Sequence, residues 1–168
     1  MIRAIALDDE PPALRVLTHF CQQVDVIDLQ KTFTRTDEAL RYLEQFPVDL
    51  LFLDINMPSM SGIDFYKAVG TTSAARSQAT VSTDRMVIFT TAYAEYAVEG
   101  FTLNAVDYLL KPFTFERFVQ AANKAADFYR WQQRTDSLVK PTSISGPTIR
   151  STKLRWPIFY SLKGWMIT

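Results

Sequence analysis

Four short apolar runs recur along the chain, and each stops at or just before a polar residue. Ile2–Leu7 stops at Asp8-Asp9, Asp49–Leu53 at Asp54, Met86–Phe89 at Thr90-Thr91, and Ala105–Leu109 just short of Lys111. Runs this short, apolar at successive rather than alternate positions, fit strands covered on both faces. A fifth run, Val26–Phe33, is more polar and fits an edge strand. Helical spacing fills the gaps. Pro11 and Pro12 suit the first turn of a helix, where a missing N–H costs little. Leu14, Leu17, Thr18 and Cys21 then carry it to about Gln23. Thr36-Asp37-Glu38 opens a second helix through Gln45, with Ala39, Leu40 and Leu43 inward. Gly62–Val69 and Tyr93–Gly100 read as two more, and Phe115, Phe118, Val119, Ala122 and Ala126 stripe a last helix to about Gln133. Five strands alternating with five helices predict an α/β fold. Its expected form is a flavodoxin-like (βα)5 doubly wound parallel sheet of order 2-1-3-4-5.

Thr71–Asp84 interrupts the rhythm. It is rich in Ser, Thr and Ala with almost no large apolar residue, and reads as an exposed insertion. Residues 134–153 carry Pro141, Gly146, Pro147 and many Ser/Thr, as linkers do. Residues 154–168 turn aromatic again in "WPIFYSLKGWMIT". The expected division is a domain over 1–133, a linker over 134–153, and the truncated start of a further domain over 154–168. Charge follows that division: residues 1–130 carry a net −5 and residues 131–168 a net +5. The single cysteine, Cys21, leaves no internal disulfide and fits a reducing compartment. Neither a signal-peptide pattern nor a bilayer-spanning run is evident, so the expected location is cytoplasmic, away from membrane.

In open parallel sheets, function gathers at the carboxyl ends of the strands, beside the point where the strand order reverses. The expected order brings Asp8, Asp9, Asp54, Thr90, Thr91 and Lys111 to one edge. A lone carboxylate closing so apolar a strand as "LLFLD" costs several kcal/mol, roughly, unless something compensates it. Three carboxylates together repel, and a hard divalent cation resolves that conflict. Mg²⁺ takes few carboxylates, keeps waters and accepts phosphate oxygens, so Asp8, Asp9 and Asp54 suggest an Mg²⁺ site with room for a phosphoryl group. Lys111 offers charge and Thr91 a hydroxyl to phosphoryl oxygens. A carboxylate can itself accept a phosphoryl group, and Asp54 is central.

The motifs "ALDDEP", "LFLDINMPSMSG", "VIFTTAYAEYAVEGF" and "NAVDYLLKPF", in this order, resemble the response-regulator receiver domain of two-component signalling, over residues 2 to about 130. The last two look most like receivers joined to LytTR-type (LytR/AlgR-like) DNA-binding domains. The resemblance implies Asp54 as phosphoacceptor for a partner histidine kinase. It implies Mg²⁺ on Asp8, Asp9, Asp54 and the backbone carbonyl of Asn56, with Thr91 and Lys111 on the phosphoryl group. Tyr108 would be the switch aromatic, and the Lys111-Pro112 bond would be cis. Thr90 competes with Thr91, but Thr91 precedes the small Ala92 as the family pattern asks. Such a domain is a signalling phosphoacceptor that promotes its own phosphotransfer and dephosphorylation, rather than an enzyme of metabolism. The resemblance further implies a homodimer favoured by phosphorylation and DNA contact only through a missing C-terminal domain.

Other readings compete. Haloacid-dehalogenase-type phosphatases also use a strand-end Asp, with a second Asp two residues on, where this chain has Asn56. A dinucleotide fold wants glycines after the first strand, where this chain has "DDEPP". A phosphorylation-independent interaction module would not need the acidic set. His19, Cys21 and the group Phe113, Phe115 and Phe118 read as structural.

Overall fold

The computed structural model describes residues 1–76, 85–92 and 105–138. Five strands, β1 (Ile2–Leu7), β2 (Ile27–Phe33), β3 (Leu50–Asp54), β4 (Met86–Thr91) and β5 (Asp107–Leu110), form one parallel sheet in the order β2-β1-β3-β4-β5. Four helices are described: α1 (Pro11–Cys21), α2 (Thr36–Gln45), α3 (Gly62–Arg76) and α4 (Phe115–Leu138). The expected helix over 93–100 lies outside the described residues, as do 139–153 and the aromatic tail at 154–168.

The helices begin where local chemistry tells them to. Pro11 and Pro12 occupy the first two positions of α1, which need no internal N–H partner. Asp37 and Glu38 lie in the first turn of α2, where negative charge meets the positive end of the helix dipole. Ser61 caps α3, its hydroxyl accepting from Asp64 N at 3.1 Å and donating to Asp64 Oδ2 at 2.8 Å. Thr114 caps α4, accepting from Arg117 N at 3.3 Å. Two helices outrun their expected ends. α3 continues through Arg76, so residues 71–76 are helical rather than part of an inserted loop. Alanines and the lack of proline let the helix continue there. α4 extends to Leu138, past Gln133.

Strand alternation divides the core in two. Ala4, Ala6, Leu50, Phe52, Met86, Ile88 and Leu109 face Leu14, Leu17, Phe118 and Ala122 of α1 and α4. Ile5, Leu7, Leu51, Leu53, Val87 and Phe89 face Ala39, Leu43, Phe65 and Val69 of α2 and α3. β3 and β4 are buried at every position, as strands covered on both faces should be. The polar β2 takes an edge. Phe118 and Cys21 are buried in the first cluster, with Phe113 and Phe115 packed against it, so the phenylalanine group is core. His19 is exposed on α1.

One polar tie fastens α4 to the sheet. Asp107, nine-tenths buried, accepts from both terminal nitrogens of Arg117 at 2.7 and 2.9 Å and pairs with Lys124 at 3.2 Å. Arg117 also donates to the Tyr108 carbonyl at 2.6 Å. Burial pushes the Asp107 carboxyl up, but the Arg117 hydrogen bonds and the charges of Arg117 and Lys124 hold it below its ordinary range. Where sheet meets helix, the Lys111-Pro112 bond is cis.

Candidate functional site

β1 has β2 on one side and β3 on the other, so the strand order reverses there, and the carboxyl ends of β1 and β3 flank the crevice. Parallel register sets the side chains. Leu7 pairs with Leu53, and the next step up brings Asp8 beside Asp54. Asp8 and Asp54 are buried and Asp9 is half-buried, and one oxygen from each lies within 4.8 Å of the others. Asp8 Oδ1 accepts from Glu10 N at 3.0 Å, closing the turn into α1.

Lys111 reaches this group from the end of β5. Its ammonium donates to Asp54 Oδ1 at 3.1 Å, lies 2.7 Å from Asp8 Oδ2, and stands 3.7 Å from Glu10 Oε2. The Asp8 contact is a close ion pair, so the one ammonium bridges the two buried carboxylates. Burial pushes the Asp54 carboxyl up; the Lys111 charge and hydrogen bond pull it back; Asp8 and Asp9 raise it again, leaving it at about 6. For Lys111, burial works downward, but Asp8 and Asp54 outweigh it and raise the ammonium above its ordinary value. The strand edge thus holds more negative charge than one lysine balances, on hard oxygen donors. Those donors fit Mg²⁺.

The remaining sequence-predicted residues sort by sheet face. Thr90 pairs in register with Asp54, and on its other side with Leu109. It therefore shares the face of Asp8 and Asp54. Thr91 is buried one step on, with the parity of Phe89, and its carbonyl accepts from Lys111 N at 2.7 Å. Tyr108 packs on the Phe89 side, stacked on that ring at 5.4 Å between centroids. Its hydroxyl is buried without a hydrogen-bond partner among the described residues, and burial, with Tyr66 adding, pushes its pKa far up. Asn56 is exposed in the turn after β3. Two neighbours of the site carry no sequence prediction. One is Glu10, third in the acidic run "DDE". The other is Gly62, where a Cβ would lie 2.1 Å from the Asp54 carbonyl oxygen.

The response regulator receiver domain model matches residues 4–123. The sensory transduction protein LytR of Staphylococcus epidermidis is 34% identical over 143 residues, covering 85% of this chain and 53% of the relative. The chain spans about half the length of the curated relatives it matches. The response regulatory domain of mrkE from Klebsiella pneumoniae superposes with a TM-score of 0.67 at 27% identity, covering 77% of this chain and 99% of that one. The response regulator protein TrrA of Thermotoga maritima, solved in complex with Mg²⁺-BeF, superposes at 0.61 with 26% identity, covering 74% and 99%. Among the described residues, no helix is long and apolar enough to cross a membrane.

Proposed function

Because this chain belongs to the response-regulator receiver family, we propose that it takes a phosphoryl group from the phosphohistidine of a partner histidine kinase onto Asp54. The observation that carries this reading is the Asp54 carboxyl itself. It closes the buried β3 at the reversal of the sheet, beside Lys111 and two further carboxylates. With a pKa of about 6 it is mostly ionised at pH 7, and burial strips it of competing water. An Asp54 oxygen forms the new O–P bond as the donor's P–N bond breaks, its electron pair returning to the imidazole. Lys111 is drawn from the carboxylate to the incoming phosphoryl oxygens, and Thr91 offers them a hydroxyl.

Asp8, Asp9, Asp54 and the Asn56 carbonyl would hold Mg²⁺, which supplies charge neutralisation for carboxylate and phosphoryl oxygens. Incubation with a small phosphodonor and Mg²⁺ adds one phosphoryl mass to the intact protein; no gain overturns the reading. Asp9→Asn weakens Mg²⁺ binding at least about tenfold, because a carboxylate ligand becomes neutral. Titration calorimetry checks this. Without metal, the variant folds at least as stably as wild type, since one repulsive charge is gone.

The new charge, roughly −1.5 to −2, biases the face carrying Tyr108, β5 and α4 toward a homodimer. The output is transcriptional, through a LytTR-type DNA-binding domain whose opening the residues 154–168 resemble, after a linker that can begin only past the end of α4 at Leu138. The likeness of the tail "WPIFYSLKGWMIT" to the opening of such a domain supports this. In sedimentation, beryllofluoride with Mg²⁺ shifts wild type toward dimer, and Thr91→Ala shifts much less. Equal shifts separate Thr91 from the switch.

A further inference from the structure

Glu10 closes the acidic run "DDE" and is followed by two prolines. It occupies the N-cap of α1, where Ser, Thr, Asp or Asn would supply a capping oxygen, yet its side chain makes no capping hydrogen bond. Its backbone is held instead. Glu10 N donates to Asp8 Oδ1 at 3.0 Å, and its carbonyl accepts from Ala13 N at 3.0 Å and Leu14 N at 3.3 Å. The helix thus makes no use of the carboxylate, which faces Lys111 with Oε2 3.7 Å from the ammonium.

Lys111 has carboxylate partners of two kinds. Asp8 at 2.7 Å and Asp54 at 3.1 Å lie on the floor of the site, their side chains 1% and 6% exposed. Glu10 lies at its mouth, 66% exposed. The two floor residues are also donors of the Mg²⁺ site proposed above. An ammonium and a divalent cation on the same oxygens repel each other, most strongly where water is scarce. The lysine backbone cannot yield, because Lys111 N is fixed to the Thr91 carbonyl at 2.7 Å. The ammonium can yield, by rotation of its flexible four-carbon stem. On the solvent side, the carboxylate it already faces is Glu10.

We propose that Glu10 is a positioning residue for Lys111: as Asp8 and Asp54 turn to Mg²⁺, Glu10 accepts the ammonium and keeps it at the mouth of the site, where a phosphoryl group enters. This rests on the Mg²⁺ site proposed above. It gives the resting lysine a second place, so that the metal is not bound against it.

The test is calorimetric titration of the full chain with Mg²⁺ alone. Glu10→Gln keeps the shape of the side chain and drops its charge. It binds Mg²⁺ about fivefold more weakly than wild type, the upper worth of an exposed ion pair. Its Tm without metal stays within about 2 °C of wild type, because the exposed pair contributes little at rest. In a Lys111→Gln background the same change weakens Mg²⁺ binding by less than about twofold, the effect of one screened charge. Glu10→Asp keeps the charge but is too short to reach the ammonium, and binds Mg²⁺ within about twofold of Glu10→Gln. That variant decides the matter alone if Lys111→Gln does not fold. Equal weakening by Glu10→Gln in the two backgrounds overturns the proposal, since Glu10 then acts on the metal by its charge. So does wild-type affinity in Glu10→Gln or Glu10→Asp. A larger fall in the Tm of Glu10→Gln overturns it too, by making the contact a structural one at rest. Failure of wild type to bind Mg²⁺ overturns the metal site itself, and the role of Glu10 with it.

Discussion

Asp54→Asn takes up no phosphoryl group from a small phosphodonor, where wild type gains one, and the intact mass shows it directly. The amide keeps the shape of the side chain but has no anionic oxygen to attack phosphorus. A persisting mass gain would move the acceptor elsewhere. The same change alters stability in a pH-dependent way. The folded-state carboxyl titrates at about 6 against an ordinary 3.8, chiefly through burial. A raised carboxyl pKa means the folded chain holds the proton more tightly than the unfolded one. Stability from this group is therefore full below about pH 4 and lost as pH rises to about 6. At pH 7 the ionised Asp54 costs about 2–3 kcal/mol. The asparagine removes that cost but also takes a partner from Lys111. The expected net gain without metal is about 1–2 kcal/mol at pH 7, shrinking toward zero near pH 4. Urea denaturation at the two pH values measures it. A variant less stable than wild type at pH 7 would mean that the Lys111 contact outweighs the burial.

Gly62→Ala is strongly destabilising. The added Cβ would lie 2.1 Å from the Asp54 carbonyl oxygen, 3.0 Å from its carbonyl carbon and 3.4 Å from Ile55 Cα. All three are backbone atoms at the end of a central strand, so none can swing aside. Gly62 N also donates to the Ile55 carbonyl at 3.0 Å, which pins α3 to the turn. Relief requires moving the start of α3 or the end of β3. The expected loss exceeds about 3 kcal/mol in urea denaturation, at the upper end for overpacking. The phosphorylation rate falls as well, because the displaced backbone is that of Asp54. Gly70→Ala is the control: a Cβ there meets nothing within 4 Å, and helix propensity favours it by about 0.5–1 kcal/mol. Similar behaviour of the two variants would remove the close approach from this account.

Asp8, Asp9, Asp54 and Lys111 were legible because each sits where an apolar run stops, and a parallel sheet sends every such stop to the same edge. The polar Val26–Phe33 run likewise marked the edge strand. Which face of the sheet each of Thr90 and Thr91 takes was not legible. Adjacent strand residues point to opposite faces, and only the pairing of Asp54 with Thr90 says which face is which. Gly62 gave no signal because a glycine between a polar turn and a helix reads as a simple start. Its approach to Asp54 depends on the path of seven intervening residues. The ends of α3 and α4 were misjudged for another reason. Weak or polar residues such as Thr71 and Thr72, or Arg134, end an apolar stripe without ending a helix.

The grip of Asp107 on Arg117 and Lys124 has a mechanical consequence. It clamps α4 to the sheet near the first turns of the helix and leaves the far end unclamped by that network. At 24 residues, α4 is about 36 Å long. Core packing holds α4 as far as Tyr129, so the arm beyond it is about 13 Å long, and a tilt of about 5° there sweeps the tip near Leu138 through about 1 Å. What the clamp and the packing fix together is the direction in which the chain leaves the domain.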